Sequence, residues 1–143
     1  MKIKEFQVIG LFGRDEKVSA KFNGNINILT GRNGSGKTSI LKLLWYIMSG
    51  NILNALKEVP FRKATIITSE YECTVHKIDS YHCKIDLTQD GKTRNFVDLM
   101  DEDGDVVINA EDEVDAILRG KGASVFLPTF RRIEGGFTIG SER

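Results

Sequence analysis

Neither sign of charge prevails in this chain of 143 residues, in which twenty Lys and Arg balance twenty Asp and Glu. Overall charge therefore gives no argument for a nucleic acid or an anionic membrane as partner, and any such surface has to be local. No run of about 18 apolar residues is present. No signal-peptide pattern is present either, so the expectation is a cytoplasmic protein without a membrane span. Cysteine is scarce: Cys73 and Cys83 have no CxxC partner, and His76 and His82 stand six positions apart, so no zinc spacing exists. In a reducing compartment the two thiols read as ordinary strand residues, with a disulfide between neighbouring strands as the lesser alternative. What remains is a chain of one-domain length with 41% apolar residues, enough for a real core.

The chemistry is concentrated in residues 31–38, which read Gly-Arg-Asn-Gly-Ser-Gly-Lys-Thr, a complete G-x-x-x-x-G-K-T phosphate-binding loop. Its flanks fit: Asn25 to Leu29 is a strand-like run entering the loop, and Thr38 to Met48 a helix-like run leaving it. Gly31, Gly34 and Gly36 permit backbone angles closed to other residues and carry no Cβ. The chain can therefore wrap a phosphate with inward-facing N–H groups. The helix starting near Lys37 adds the positive end of its dipole, and the Lys37 ammonium can reach the β- and γ-phosphates. The Thr38 hydroxyl suits Mg²⁺, which prefers hard oxygen ligands. Arg32, Asn33, Ser35 and Ser39 complete the candidate nucleotide-contacting set. The bland alternative, a chance glycine-rich turn before a helix, would not bring eight residues into register between a strand and a helix.

The chain divides into three stretches. In residues 1–59, strands over Ile3–Ile9 and Lys17–Phe22 form a hairpin, followed by the loop, an all-round apolar helix to Met48 and a shorter helix over Asn51–Val59 ending at Pro60. Residues 60–109 read as an antiparallel meander: Ala64–Glu70, Cys73–Ile78, His82–Leu87, Arg94–Met100 and Val106–Ile108, with turns at Asp79-Ser80, Asp90-Gly91 and Asp103-Gly104. Residues 110–143 give a helix over Ala110–Leu118 with acids in its first turn, a short strand over Ser124–Pro128 and an arginine-rich loop. The expected class is α/β, half of a P-loop NTPase domain: a mixed core sheet with an antiparallel meander and flanking helices.

Other residues invite functional readings. Arg131 and Arg132 follow directly on the last expected strand, where α/β proteins place ligands. They are candidates for nucleotide phosphate, for the next lobe or subunit, or for nothing more than a solvated loop. Trp45 belongs to the apolar stripe of its helix and reads as core rather than as a base-stacking residue. Asp101, Asp103 and Asp105 look like a calcium loop, but the glycine falls at the fourth position and the twelfth residue is Asp112, so a solvated hairpin is expected. His76 and His82 read as hydrogen-bonded or solvated strand residues.

The segment FNGNINILTGRNGSGKTSILKLLWYIMSG, Phe22 to Gly50, resembles the amino-terminal part of ABC-type ATPases of the SMC, RecF and OLD group. The following segment, with the meander and then FLPTFRRIEGG, is similar to a subgroup of AAA-type ATPases of bacterial anti-phage defence. The resemblance implies ATP and Mg²⁺ as ligands, a homodimer formed through the full ATPase, and a nucleic acid or a nuclease as possible partner. It also implies a base site near the amino-terminal strands, where Phe12 and Arg14 are candidates. The departures are equally specific. Gln7 and Gln89 are the only glutamines, neither in a Q-loop position, and no signature motif or Walker B Asp-Glu strand occurs. The expectation is thus the first half of an ATP-binding domain, with no catalytic residue of its own. An ATP-gated dimerisation switch is the alternative. A P-loop kinase ranks lower, because a hairpin precedes the loop and no lid arginines follow. A transporter subunit is also disfavoured by the absent Q-loop and the long meander.

Overall fold

The computed structural model describes residues 3–13, 15, 17–23, 25–28 and 36–121. Nine strands and three helices follow in the order β1 (Ile3–Ile9), β2 (Lys17–Asn23), β3 (Asn25–Ile28), α1 (Gly36–Met48), α2 (Ile52–Glu58), β4 (Lys63–Thr68), β5 (Glu72–Lys77), β6 (Cys83–Gln89), β7 (Lys92–Phe96), β8 (Leu99–Met100), β9 (Val106–Ile108) and α3 (Ala110–Arg119). The first seven strands form one sheet in the order β3-β2-β1-β4-β5-β6-β7. Because β1 pairs with β2 on one side and β4 on the other, the amino-terminal hairpin and the meander are a single sheet.

Period-two patterning explains which face is covered. Phe6 and Val8 of β1, Ala64 and Ile66 of β4, Cys73 and Val75 of β5, and Cys83, Ile85 and Leu87 of β6 are buried. In register they form rows: Phe6 stands opposite Ile66, Ile66 opposite Cys73, and Cys73 opposite Leu87. On the other face a polar row runs from Gln7 through Thr65, Thr74 and Asp86 to Asn95. Thr65 and Thr74 share a hydrogen bond of 3.2 Å there, and His76 meets Asp86 at 3.2 Å while Asn95 donates to the same carboxylate. The helices cover the apolar face. Leu41, Leu43, Leu44, Ile47 and Met48 of α1 are at most 1% exposed, each worth roughly 1.5–3 kcal/mol of burial.

The structure differs from the sequence reading in three places. Over the described residues every ladder of the expected mixed sheet is antiparallel. The further strand expected at Ser124–Pro128 lies outside them. The expected strand Arg94–Met100 is broken into β7 and β8, and β8 leaves the sheet to pair with β9. The cause is Asp98, whose Oδ1 accepts the Ala110 N–H at 2.7 Å and so turns the chain toward the start of α3. Finally, α1 begins at Gly36, two residues earlier than the apolar periodicity indicates, because the glycine and lysine before Thr38 have no apolar side chain to mark them.

The two cysteines are free and buried on the apolar face, as expected of strand residues. Burial pushes the Cys73 thiol up to about 12, and Cys83 is raised by burial and by Glu111 close by. Neither is a nucleophile at neutral pH. Trp45 packs partly buried against the core, in agreement with the sequence. No described helix is long and apolar enough to cross a membrane.

Candidate functional site

The phosphate-loop motif falls between β3 and α1. Gly31 to Ser35 lie outside the described residues, as do Arg14, Arg131 and Arg132, so the site is built from what surrounds the loop. Gly36, Lys37 and Thr38 form the first turn of α1, followed by the half-buried Ser39. No residue of that turn is acidic. The unpaired N–H groups and the positive end of the helix dipole therefore meet no protein carboxylate on their own turn, as an anion site requires.

The sheet registers fix which end of the molecule this is. β3 and β1 both pair antiparallel with β2, so they run the same way. Ile28 is level with Ala20, and Ala20 with Phe6, so β3 heads toward the end where β1 finishes at Ile9. Directly after Ile9 the chain makes a tight turn. Gly10 has φ +82, and a Cβ there would lie 2.7 Å from the Arg62 Cγ, so this position requires glycine. Leu11 is buried, and Phe12 is held in the left-handed region at φ 55, ψ 33 with its ring 42% exposed. Its N–H donates to the Pro60 carbonyl at 2.9 Å, which ties the turn to the start of β4. A non-glycine residue in that conformation costs about 1 kcal/mol or more, and its position displays the aromatic ring instead of burying it. Among the sequence candidates for base contact, Phe12 is thus an exposed aromatic on the end of the sheet toward which β3 runs.

The rear of α1 is closely braced. Its last carbonyls are closed by Gly50 N–H to Ile47 O at 3.1 Å and Asn51 N–H to Tyr46 O at 2.8 Å, with Gly50 at φ +78. The Asn51 side chain makes no cap to α2. Instead Asp115 of α3 accepts the Ile52 N–H at 3.2 Å, from 63 positions away, while Arg119 donates to the Gly50 carbonyl at 2.7 Å. Burial raises the Asp115 carboxyl to about 6 despite that hydrogen bond. On the outer side of the helix, Tyr46 donates to Glu58 at 2.8 Å and Lys42 lies 3.2 Å from the same carboxylate, linking α1 to α2. Sequence reasoning missed Asp115 and Arg119 as functional candidates. Their one-turn spacing on a helix was visible, but nothing local signals a partner so distant in the chain.

The remaining candidates carry no site. His82 is paired with Asp79 at 2.8 Å in an exposed turn, which raises the imidazole, while the Tyr81 N–H and then His82 lower the Asp79 carboxyl. Carboxylate oxygens of Asp101, Asp103 and Asp105 lie within 4.8 Å of one another. Asp101 already accepts the N–H groups of Asp103 and Asp105, both at 2.9 Å, so the triad shapes the exposed β8–β9 turn.

The AAA domain family matches residues 1–134. The chain belongs to that family. The DNA replication and repair protein RecF of Clostridioides difficile (strain 630) is 34% identical over 58 residues, 41% of this chain. The aligned part is 15% of RecF, so the chain spans a small fraction of the length of that relative. Family membership and the RecF similarity identify this AAA domain as resembling the amino-terminal segment of an SMC- or RecF-like P-loop ATPase.

Proposed function

We propose that this AAA domain binds Mg-ATP in the loop Gly31 to Ser39, as the amino-terminal part of an ATPase engaged in DNA-related work. The observation that carries the reading is the G-x-x-x-x-G-K-T run set between a strand and a helix whose first turn, from Gly36, holds no acidic residue. In this reading the loop amides and Lys37 grip the β- and γ-phosphates and Thr38 ligates Mg²⁺. Bound Mg²⁺ neutralises phosphate charge, and this chain's own residues hold and orient the nucleotide around it. Phe12 and Arg14 stand as base contacts. Arg131 and Arg132 stand as phosphate contacts or as contacts to the next lobe or subunit. The words DNA replication and repair in the relative's name support a DNA-related role, and the similarity of the meander and FLPTFRRIEGG to defence ATPases supports an anti-phage one.

Water activation needs a carboxylate after an apolar strand and a signature motif from a second copy, and this sequence contains neither. Hydrolysis is therefore assigned to the domain only when a carboxy-terminal half completes it and two such units close on ATP. The absence of those motifs also keeps a second reading in view, an ATP-gated dimerisation switch in which occupancy is the signal. Titration of the chain with a fluorescent mant-ATP in Mg²⁺, alongside a phosphate-release assay, tests the proposal. Saturable binding lost in Lys37→Ala, with no steady release, is expected. Steady release abolished by Lys37→Ala would overturn the division of labour, and absence of binding would overturn the assignment itself.

A further inference from the structure

We propose that Asp115 and Arg119 of α3 are positioning residues for the nucleotide loop, acting through α1, so that nucleotide occupancy and the lie of α3 are coupled. The inference deepens the nucleotide reading above and rests on it. Its basis is the joint between α1 and α2. There Arg119 donates to the Gly50 carbonyl at 2.7 Å and Asp115 accepts the first N–H of α2 at 3.2 Å. The two side chains are one turn apart on α3 and straddle the linker. The approach is close enough that a Cβ on Gly50 would stand 2.5 Å from the Arg119 Cγ and 2.8 Å from the Asp115 carbonyl oxygen. Gly50 lets the two backbones touch.

Several features make this joint more than packing. The Arg119 cation sits at the carboxyl end of α1, the negative end of its dipole. Asp115 is 9% exposed and Glu111, one turn earlier on α3, is 3% exposed, and Cys83 donates to Glu111 at 3.7 Å. α3 thus spends two buried carboxylates where apolar residues would hold it equally well. Lys121, just past its end, reaches Glu70 in the β4–β5 turn at 3.4 Å, which adds a partly exposed tie between α3 and the sheet. α1 itself is a rod of about 20 Å whose other end is the loop. Fixing the rear of a rigid helix fixes the direction of its front, and if that grip alters nucleotide affinity then bound nucleotide alters the grip by the same factor.

Hydrogen exchange on the full chain with and without Mg-ATP, read in peptides covering residues 110–121, tests the coupling. Mant-ATP affinity is measured in parallel for wild type, Arg119→Met and Arg119→Lys. The expected result is slower exchange in α3 on nucleotide binding, an increment absent in Lys37→Ala and in Arg119→Met. Affinity should fall about 5-fold in Arg119→Met and less in Arg119→Lys. A merely structural arginine would lower baseline protection yet leave the ATP-induced increment intact, and that outcome overturns the proposal. So does nucleotide binding by the wild-type chain with no change in α3, a measurement needing no variant. Failure of the wild type to bind mant-ATP removes the underlying nucleotide reading as well, and is distinguished by the titration itself.

Discussion

The two ends of α1 are made in opposite ways. At the front, the proposed nucleotide contacts fall in eight consecutive positions, residues 31–38. At the rear, Gly50 is chosen for what it leaves out, and the groups that hold it, Asp115 and Arg119, come from the last described helix. The front is local and the rear is long-range. The difference teaches that the residues proposed to bind a phosphate and those proposed to aim them are encoded separately, so the two can be broken separately.

Substitutions that separate the ends follow, beginning with the greatest change. Gly50→Ala puts a side chain into the left-handed region and against Arg119 and the Asp115 carbonyl. It should cost about 3 kcal/mol of stability by urea denaturation, from backbone strain plus overlap. Lys37→Ala should do the reverse: affinity for Mg-ATP falls about 10- to 100-fold, the loss of one charge-assisted contact, while the urea midpoint of the ligand-free chain stays within error.

Next comes a pH effect. Asp115 is raised from 3.8 to about 6 by burial, so the folded state holds its proton more tightly than the unfolded state. The associated stabilisation is complete below about pH 4 and disappears as pH rises through about 6, a decline on the order of 2 kcal/mol. The Glu111 carboxyl, also raised by burial, acts in the same direction. Asp115→Asn keeps an acceptor for the Ile52 N–H and cannot ionise. Urea denaturation from pH 4 to 7 should show a flatter profile in this variant than in wild type, and equal slopes would contradict the assignment. The smallest effect belongs to the solvent side. Lys42→Ala removes a partly exposed pair with Glu58 and should cost about 0.5 kcal/mol in urea, and less at high salt.

Much of this fold was legible in the sequence for the same reason that the front of α1 was. Strand alternation from Ile3 to Ile9, the turns at Asp90-Gly91 and Asp103-Gly104, and the acidic first turn of α3 are local patterns, and each element stands where it was expected. What could not be read depends on contacts between distant segments. β7 and β8 separate because Asp98 is recruited to the start of α3 twelve positions later. The pairing of β1 with β4 makes one sheet out of what reads as a hairpin and a meander, since strand neighbours are set by packing and not by order along the chain. Phe12 was visible as a turn aromatic, but its exposure and left-handed backbone arise from the Pro60 carbonyl that holds it. Asp115 carried no signal at all: a carboxylate on a helix face looks solvated until the helix is docked.

Isothermal titration calorimetry of the chain with ATP in the presence of Mg²⁺ bears most directly on the central claim, that the segment between β3 and α1 grips a triphosphate. One binding site per chain, lost on chelation of Mg²⁺ and in Lys37→Ala, is the predicted result. Heat unchanged by that substitution, or no binding heat in a chain folded by circular dichroism, would contradict it.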